Sequence, residues 1–352
     1  MRMILICGID RASQGGSVTS TRALLRRLLP LGMILVLALA ACTPSAPPSS
    51  QTATQPTPAA RDLAEDEKLR VVATTSIVAD VVAQVGGDRI DLVTLLPLGA
   101  DPHAYTATPQ DLRTLNQADL IFINGLGLEE ALMPALGTLD SAAPVVSVNA
   151  AVTPLAMDGE HAQDAGAQDA HEHAEGDPHT WFDVANVILW TGTIRDALSR
   201  LDAAHAAEYA TAAEQYTATL AELDAEIRAR IDTLPPARRK LVSDHAEFNY
   251  FARAYGFEVI GAVIPAISTM AEPSAQQLAV LHDQIAAAGV PAIFVGTTVN
   301  PRLEEQLAQD LGIEVVTLYT ASLSAADGPA PSYVDLMRST VDRIVTALGS
   351  RE

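Results

Sequence analysis

Residues 202–234 read DAAHAAEYATAAEQYTATLAELDAEIRARIDTL. The stretch contains neither Pro nor Gly and is rich in Ala and Glu. Leu220, Leu223, Ile227 and Ile231 fall at i, i+3, i+7 and i+11, which predicts one long helix with a single apolar face. Pro235 and Pro236 end it. On both sides, short β-branched runs alternate with amphipathic stretches, the pattern of a parallel α/β sheet. Strands are expected near Leu69–Ala73, Asp91–Leu95, Leu120–Ile123 and Val145–Val148 before the helix. After it they are expected near Leu241–Ser243, Glu258–Val263, Ala292–Val295 and Glu314–Thr317. Thr108-Pro109 reads as the start of a helix over Gln110–Asn116. The prediction is an α/β protein of two four-stranded parallel-sheet lobes joined by one long helix. The N-terminal lobe spans 63–201, the linking helix 202–234 and the C-terminal lobe 235–352. Doubly wound sheets take ligands beyond the carboxyl ends of their strands, so a site is expected in the cleft between the lobes.

Ahead of the first lobe, Arg22, Arg26 and Arg27 precede an apolar run from Leu28 to Ala41. At 14 residues the run is short of the roughly 20 that cross a bilayer as a helix. It closes on Leu39-Ala40-Ala41-Cys42, which resembles a bacterial lipobox, so 1–42 reads as a lipoprotein signal peptide with Cys42 as the lipid anchor. An ordinary signal peptide with a chance Cys is the alternative, and residues 1–21 are unusual for such a leader. Residues 43–62, rich in Pro, Ser, Thr and Ala, read as a flexible tether. Cys7 and Cys42 are the only cysteines, which excludes a disulfide, a thiolate metal site or a Cys nucleophile in the processed chain. The net charge is −21, and loss of 1–42 makes it −25. Such an acidic surface argues against nucleic acid or an anionic membrane as partner and is compatible with a cation.

Eight histidines are present. His205 and His282 lie in helical stretches among polar residues and read as solvated. His161, His171 and His173 belong to MDGEHAQDAGAQDAHEHAEGDP (157–178), an acidic, His-containing loop without apolar periodicity. The remaining three are placed near strand ends. His103 sits in LLPLGADPHAY, His179 in GDPHTWFDVAN, a second Asp-Pro-His, and His245 in LVSDHAEFNYFARAYGF. Any one such His alone reads more readily as structural or incidental than as a ligand. Three together supply most of a tetrahedral shell for Zn²⁺, with nearby carboxylates available to orient the rings.

These residues carry a resemblance to the zinc and manganese class of substrate-binding proteins of ABC importers. It rests on LLPLGADPHAYTATPQDL (95–112), ADLIFINGLGLE (118–129), DPHTWFDVANV (177–187), SDHAEFNYFARAYGF (243–257) and IFVGTTVNPRLEEQLAQDLG (293–312). The resemblance implies two α/β lobes on a rigid helix, metal at their interface, and His103, His179 and His245 as ligands. His rather than Glu at 245, and an acidic His-containing loop before the second Asp-Pro-His, resemble the zinc members. Many relatives place a ligating Asp in a Thr-Asp-Ser-Leu-like stretch. Here it reads Thr320-Ala321-Ser322-Leu323, leaving water, Glu247, Asp244 or a loop His for the fourth position.

The function implied is capture of Zn²⁺, with Mn²⁺ or iron as the alternative, and its delivery to a membrane permease. The chain would be an extracytoplasmic monomer attached to the membrane through its lipid only, and not an enzyme. A three-His zinc hydrolase is the rival from another class, but no His-Glu-x-x-His helix is visible. A third reading, an adhesin, leaves the three histidines unexplained. Trp181 and Phe182 read as residues that pack the lobes together.

Overall fold

The computed structural model describes residues 67–155 and 176–349, and within them every expected β-branched run is a strand. The expected leader with Cys42, the tether, and His161, His171 and His173 lie outside the described residues. In the first lobe, β1 (Leu69–Ala73) leads to α1 (Ser76–Gly86) and β2 (Ile90–Thr94) to α2 (Pro109–Gln117). They are followed by β3 (Leu120–Ile123), the single turn α3 (Met133–Leu136), β4 (Val145–Ser147) and α4 (Val184–Leu201). α5 (Ala206–Ile231) crosses to the second lobe. There β5 (Lys240–His245), α6 (Asn249–Tyr255), β6 (Glu258–Ile264) and α7 (Ala275–Ala288) come first. β7 (Ala292–Gly296), α8 (Arg302–Leu311), β8 (Glu314–Leu318) and α9 (Tyr333–Gly349) complete it.

All strand pairs are parallel, in the orders β2-β1-β3-β4 and β6-β5-β7-β8, so the two lobes share one topology. β3 and β7 are buried along their whole length, which is why they read as unbroken apolar runs rather than alternating ones. In each lobe the chain reverses its order of addition beside the first strand. Doubly wound sheets take their ligands beyond the carboxyl ends at such a point, and β5 delivers His245 there as its last residue.

The linking helix differs from expectation at both ends. Asp202 is buried and accepts from Tyr209 Oη at 2.8 Å and from His205 Nδ1, so 203–205 form a 3₁₀ turn and α5 begins only at Ala206. His205 is therefore half-buried against Asp202 rather than freely solvated, whereas His282 is well exposed beside Asp283. The apolar face extends further back than Leu220, through Tyr216, Ala213 and Tyr209, and packs on α1, α4 and α9. One continuous apolar cluster runs from β1 through α4 and α5 to α9, so the lobes share a core. A smaller cluster fills the α2 side of the first sheet.

Candidate metal centre

His245 ends β5, and the residue before it fixes its geometry. Asp244 Oδ1 accepts from the His245 backbone N–H at 2.5 Å and from its ring Nδ1 at 2.7 Å, while Oδ2 accepts from Gly296 N at 2.7 Å. Glycine is required at 296, because a Cβ there would lie 2.5 Å from Thr320 Oγ1 and 3.3 Å from Asp244 Oδ2. His179 does not follow directly on a strand. It heads the 3₁₀ turn Thr180–Phe182 before α4, and Asp177 Oδ1 accepts from both its backbone N–H and its Nδ1 at 2.9 Å. Asp177 and Pro178, expected as the end of the acidic, His-containing loop, are thus buried parts of the site. Asp101 Oδ1 likewise accepts from His103 N at 3.0 Å, but His103 Nδ1 is buried without a partner.

With Nδ1 donating to a carboxylate in His179 and His245, the other ring nitrogen of each carries a lone pair. His103 Nε2 lies 3.3 Å from His179 Nε2, which lies 3.2 Å from His245 Nε2. Lone pairs facing each other at that distance in a buried pocket need a cation between them, either a proton or a metal. An ion about 2.0–2.1 Å from each nitrogen in a tetrahedral shell would space them about 3.3–3.4 Å apart. The two spacings about His179 Nε2 match that geometry for a zinc-sized transition-metal cation.

Of the two carboxylates considered for the fourth position, only one is free. Asp244 has both oxygens engaged in close hydrogen bonds, whereas Glu247 has only the Thr320 hydroxyl beside it. Glu247 is fully buried, with Oε2 3.9 Å from His245 Nε2. The Ala321 methyl is buried as well, and nothing on it can coordinate. His103, His179 and His245 are 2%, 1% and 3% exposed, so the cluster is closed between the lobes rather than set in an open cleft.

The electrostatics follow from that burial. It pushes the His103 imidazolium well below its ordinary pKa and lowers that of His179, against Asp177. Burial also opposes the charged form of His245, but Glu247 and Asp244 outweigh it and lift its pKa to about 9. Burial beside Asp244 raises Glu247 well above the carboxylate range. Without a metal these shifts keep protons on His245 and Glu247, and a bound cation would take the place of those protons.

Trp181 and Phe182 do pack the lobes, and Trp181 also walls the site. Its ring stands edge-on to His179 at 5.3 Å between centroids, and its Nε1 donates to the Thr320 carbonyl across the cleft. Phe182 meets Phe248 of the other lobe at 4.7 Å. Sequence reasoning missed the aspartates of both Asp-Pro-His tripeptides as holders of their own histidines, although their fixed spacing was the available signal. It also missed Glu304, a buried acid in the first turn of α8, which reads in sequence as an ordinary helix-start carboxylate.

Residues 71–347 match the family described as zinc-uptake complex component A, periplasmic. The manganese-binding lipoprotein MntA of Halalkalibacterium halodurans is 32% identical over 81% of this chain and 90% of its own. The iron ABC transporter substrate-binding lipoprotein MtsA of Streptococcus pyogenes serotype M1 is 30% identical over 81% and 90%. Among solved structures, the periplasmic zinc binding protein TroA from Treponema pallidum superposes with a TM-score of 0.71 at 32% identity. That match covers 80% of this chain and 99% of TroA.

Proposed function

The chain belongs to the family of periplasmic zinc-uptake component A proteins, the metal-binding substrate-binding proteins of ABC importers, and we propose that its cargo is zinc. The observation that carries this reading is the convergence of three buried imidazoles, with His179 Nε2 3.3 Å from His103 Nε2 and 3.2 Å from His245 Nε2, two of them with Nδ1 tied to a carboxylate. His103, His179 and His245 are the ligands, and Glu247 rather than Asp244 closes the shell. Three imidazoles and one carboxylate favour Zn²⁺ over Mn²⁺, which binds nitrogen sites more weakly and prefers more oxygen. The relatives' names span manganese, iron and zinc, so the balance of nitrogen and oxygen donors in this chain carries the choice.

The closed cluster supports capture rather than catalysis, since a hydrolase would leave one position open to substrate. Cargo is taken up outside the cytoplasm by a monomer anchored through Cys42 and passed to the membrane permease. The segment with His161, His171 and His173 gathers zinc ahead of the site. None of the relatives named above supports adhesion.

Exposure of the purified chain to equal zinc and manganese, followed by dialysis, tests this reading. About one zinc per chain, lost on combined replacement of His103, His179 and His245 by Ala, is expected. Manganese retained in its place would keep the importer function and overturn zinc as the cargo.

A further inference from the structure

We propose that Asp101 and Asp177, the aspartates of the two Asp-Pro-His tripeptides, are positioning residues that make cargo retention depend on contact between the lobes. This inference rests on the reading of His103, His179 and His245 as cargo ligands. Each carboxylate divides its two oxygens in the same way. Oδ1 of Asp101 accepts from the backbone N–H of His103, and Oδ1 of Asp177 accepts from that of His179. Both Oδ2 atoms reach across the cleft. That of Asp101 accepts from Thr269 Oγ1 at 2.5 Å, in the loop between β6 and α7. That of Asp177 accepts from Asn249 Nδ2 at 3.0 Å, in the first turn of α6. Tyr250 Oη adds a bond to the Asp177 carbonyl at 3.1 Å.

The third histidine supplies the contrast. Asp244 holds His245 in the same fashion, but its second oxygen stays inside the C-terminal lobe, on Gly296 N. His245 needs no partner across the cleft because it is built into β5. The two ligands contributed by the first lobe sit on connections, and each is held by an aspartate clamped from the second lobe. Pro102 and Pro178 lie between each aspartate and its histidine and fix one backbone angle, and a carboxylate that turns away gives up its bond to the histidine N–H and releases that histidine. The dependence is strongest at His103, whose ring has no Nδ1 partner to hold it once Asp101 moves. Separation of the lobes would therefore loosen two of three imidazoles at once and leave His245 in place.

A neighbouring bond provides the control. Ser268 Oγ donates to Glu130 Oε1 across the same cleft, one residue from Thr269, but touches neither tripeptide. The test loads the purified chain with one equivalent of zinc and follows its loss to an excess of a chromogenic chelator. Thr269→Val is expected to release zinc about tenfold faster, the effect of one lost hydrogen bond to a carboxylate. Thr269→Ser should restore the wild-type rate, and Ser268→Ala should stay within about twofold of it. Asn249→Ala should also accelerate release, and its effect should multiply with that of Thr269→Val. Thermal unfolding of each metal-free variant separates loss of the clamp from loss of the fold. Unchanged release from Thr269→Val, or equal acceleration by Ser268→Ala, overturns the clamp while leaving the zinc site standing. A wild-type chain that takes up no zinc overturns the cargo reading itself.

Discussion

Glu247 is a carboxylate that the fold tolerates only for a reason outside the fold. It is fully buried with little but the Thr320 hydroxyl to steady it, and burial beside the charged Asp244 keeps it protonated well above the carboxylate range. Glu247→Gln should lower zinc affinity by about tenfold or more, as loss of a charged ligand does. The same change should leave the metal-free chain about as stable, because Gln replaces a carboxyl that burial beside Asp244 already holds in its neutral form. A competition titration against a zinc chelator, paired with thermal unfolding, reads both. Ala321→Asp should act in the opposite sense on selectivity, adding a hard oxygen donor and raising the manganese retained relative to zinc. At this scale the three histidines were legible because Asp-Pro-His occurs twice and His245 ends an evident strand. The choice between Glu247 and Asp244 was not. It depends on which carboxylate the Gly296 N–H and the His245 Nδ1 engage, and those atoms meet only in three dimensions.

Elements were legible wherever local chemistry and burial agree. Thr108 and Asp111 form a reciprocal cap that starts α2, and Ser274 and Gln277 do the same for α7. Ser274→Ala should cost about 1 kcal/mol of folding free energy, measured by denaturant unfolding of the metal-free chain. The face of α5 is a stronger determinant. Leu223 is fully buried in the shared core, and Leu223→Ala should cost about 2–5 kcal/mol. The start of α5 escaped prediction because Asp202 accepts from His205 and Tyr209 and holds the first turn in 3₁₀ form, a contact that helix periodicity does not encode. The connection into His179 escaped it too. Asp177 looked like the tail of a polar loop, yet Asn249 and Tyr250 of the other lobe bury it.

For the whole molecule, two sheets of one topology share one apolar cluster through α4, α5 and α9, so the lobes are not free bodies on a hinge. Alternating strand and helix patterns disclosed the two sheets, but not that their cores merge, because merging depends on how α5 lies against both. The pH dependence of stability belongs to this scale. Burial, with Asp244 adding to it, raises Glu304 from the ordinary 4.5 to about 7. The folded chain therefore holds this proton more tightly than the unfolded chain does. Its stabilising contribution is complete below the unfolded value and is lost as pH rises from about 4.5 to about 7. Glu304 alone should withdraw a few kcal/mol from the metal-free chain over that window, about 3 at most. Glu304→Gln should flatten that part of the profile in denaturant titrations.

The location of the bound ion is the most direct measurement. Zinc-loaded crystals, with anomalous diffraction recorded on both sides of the zinc absorption edge, would give its position without reference to chemistry. One peak should lie among His103 Nε2, His179 Nε2 and His245 Nε2, within bonding distance of a Glu247 oxygen. A peak elsewhere, for example on the segment carrying His161, His171 and His173, with none between the lobes, would contradict the assignment of the site.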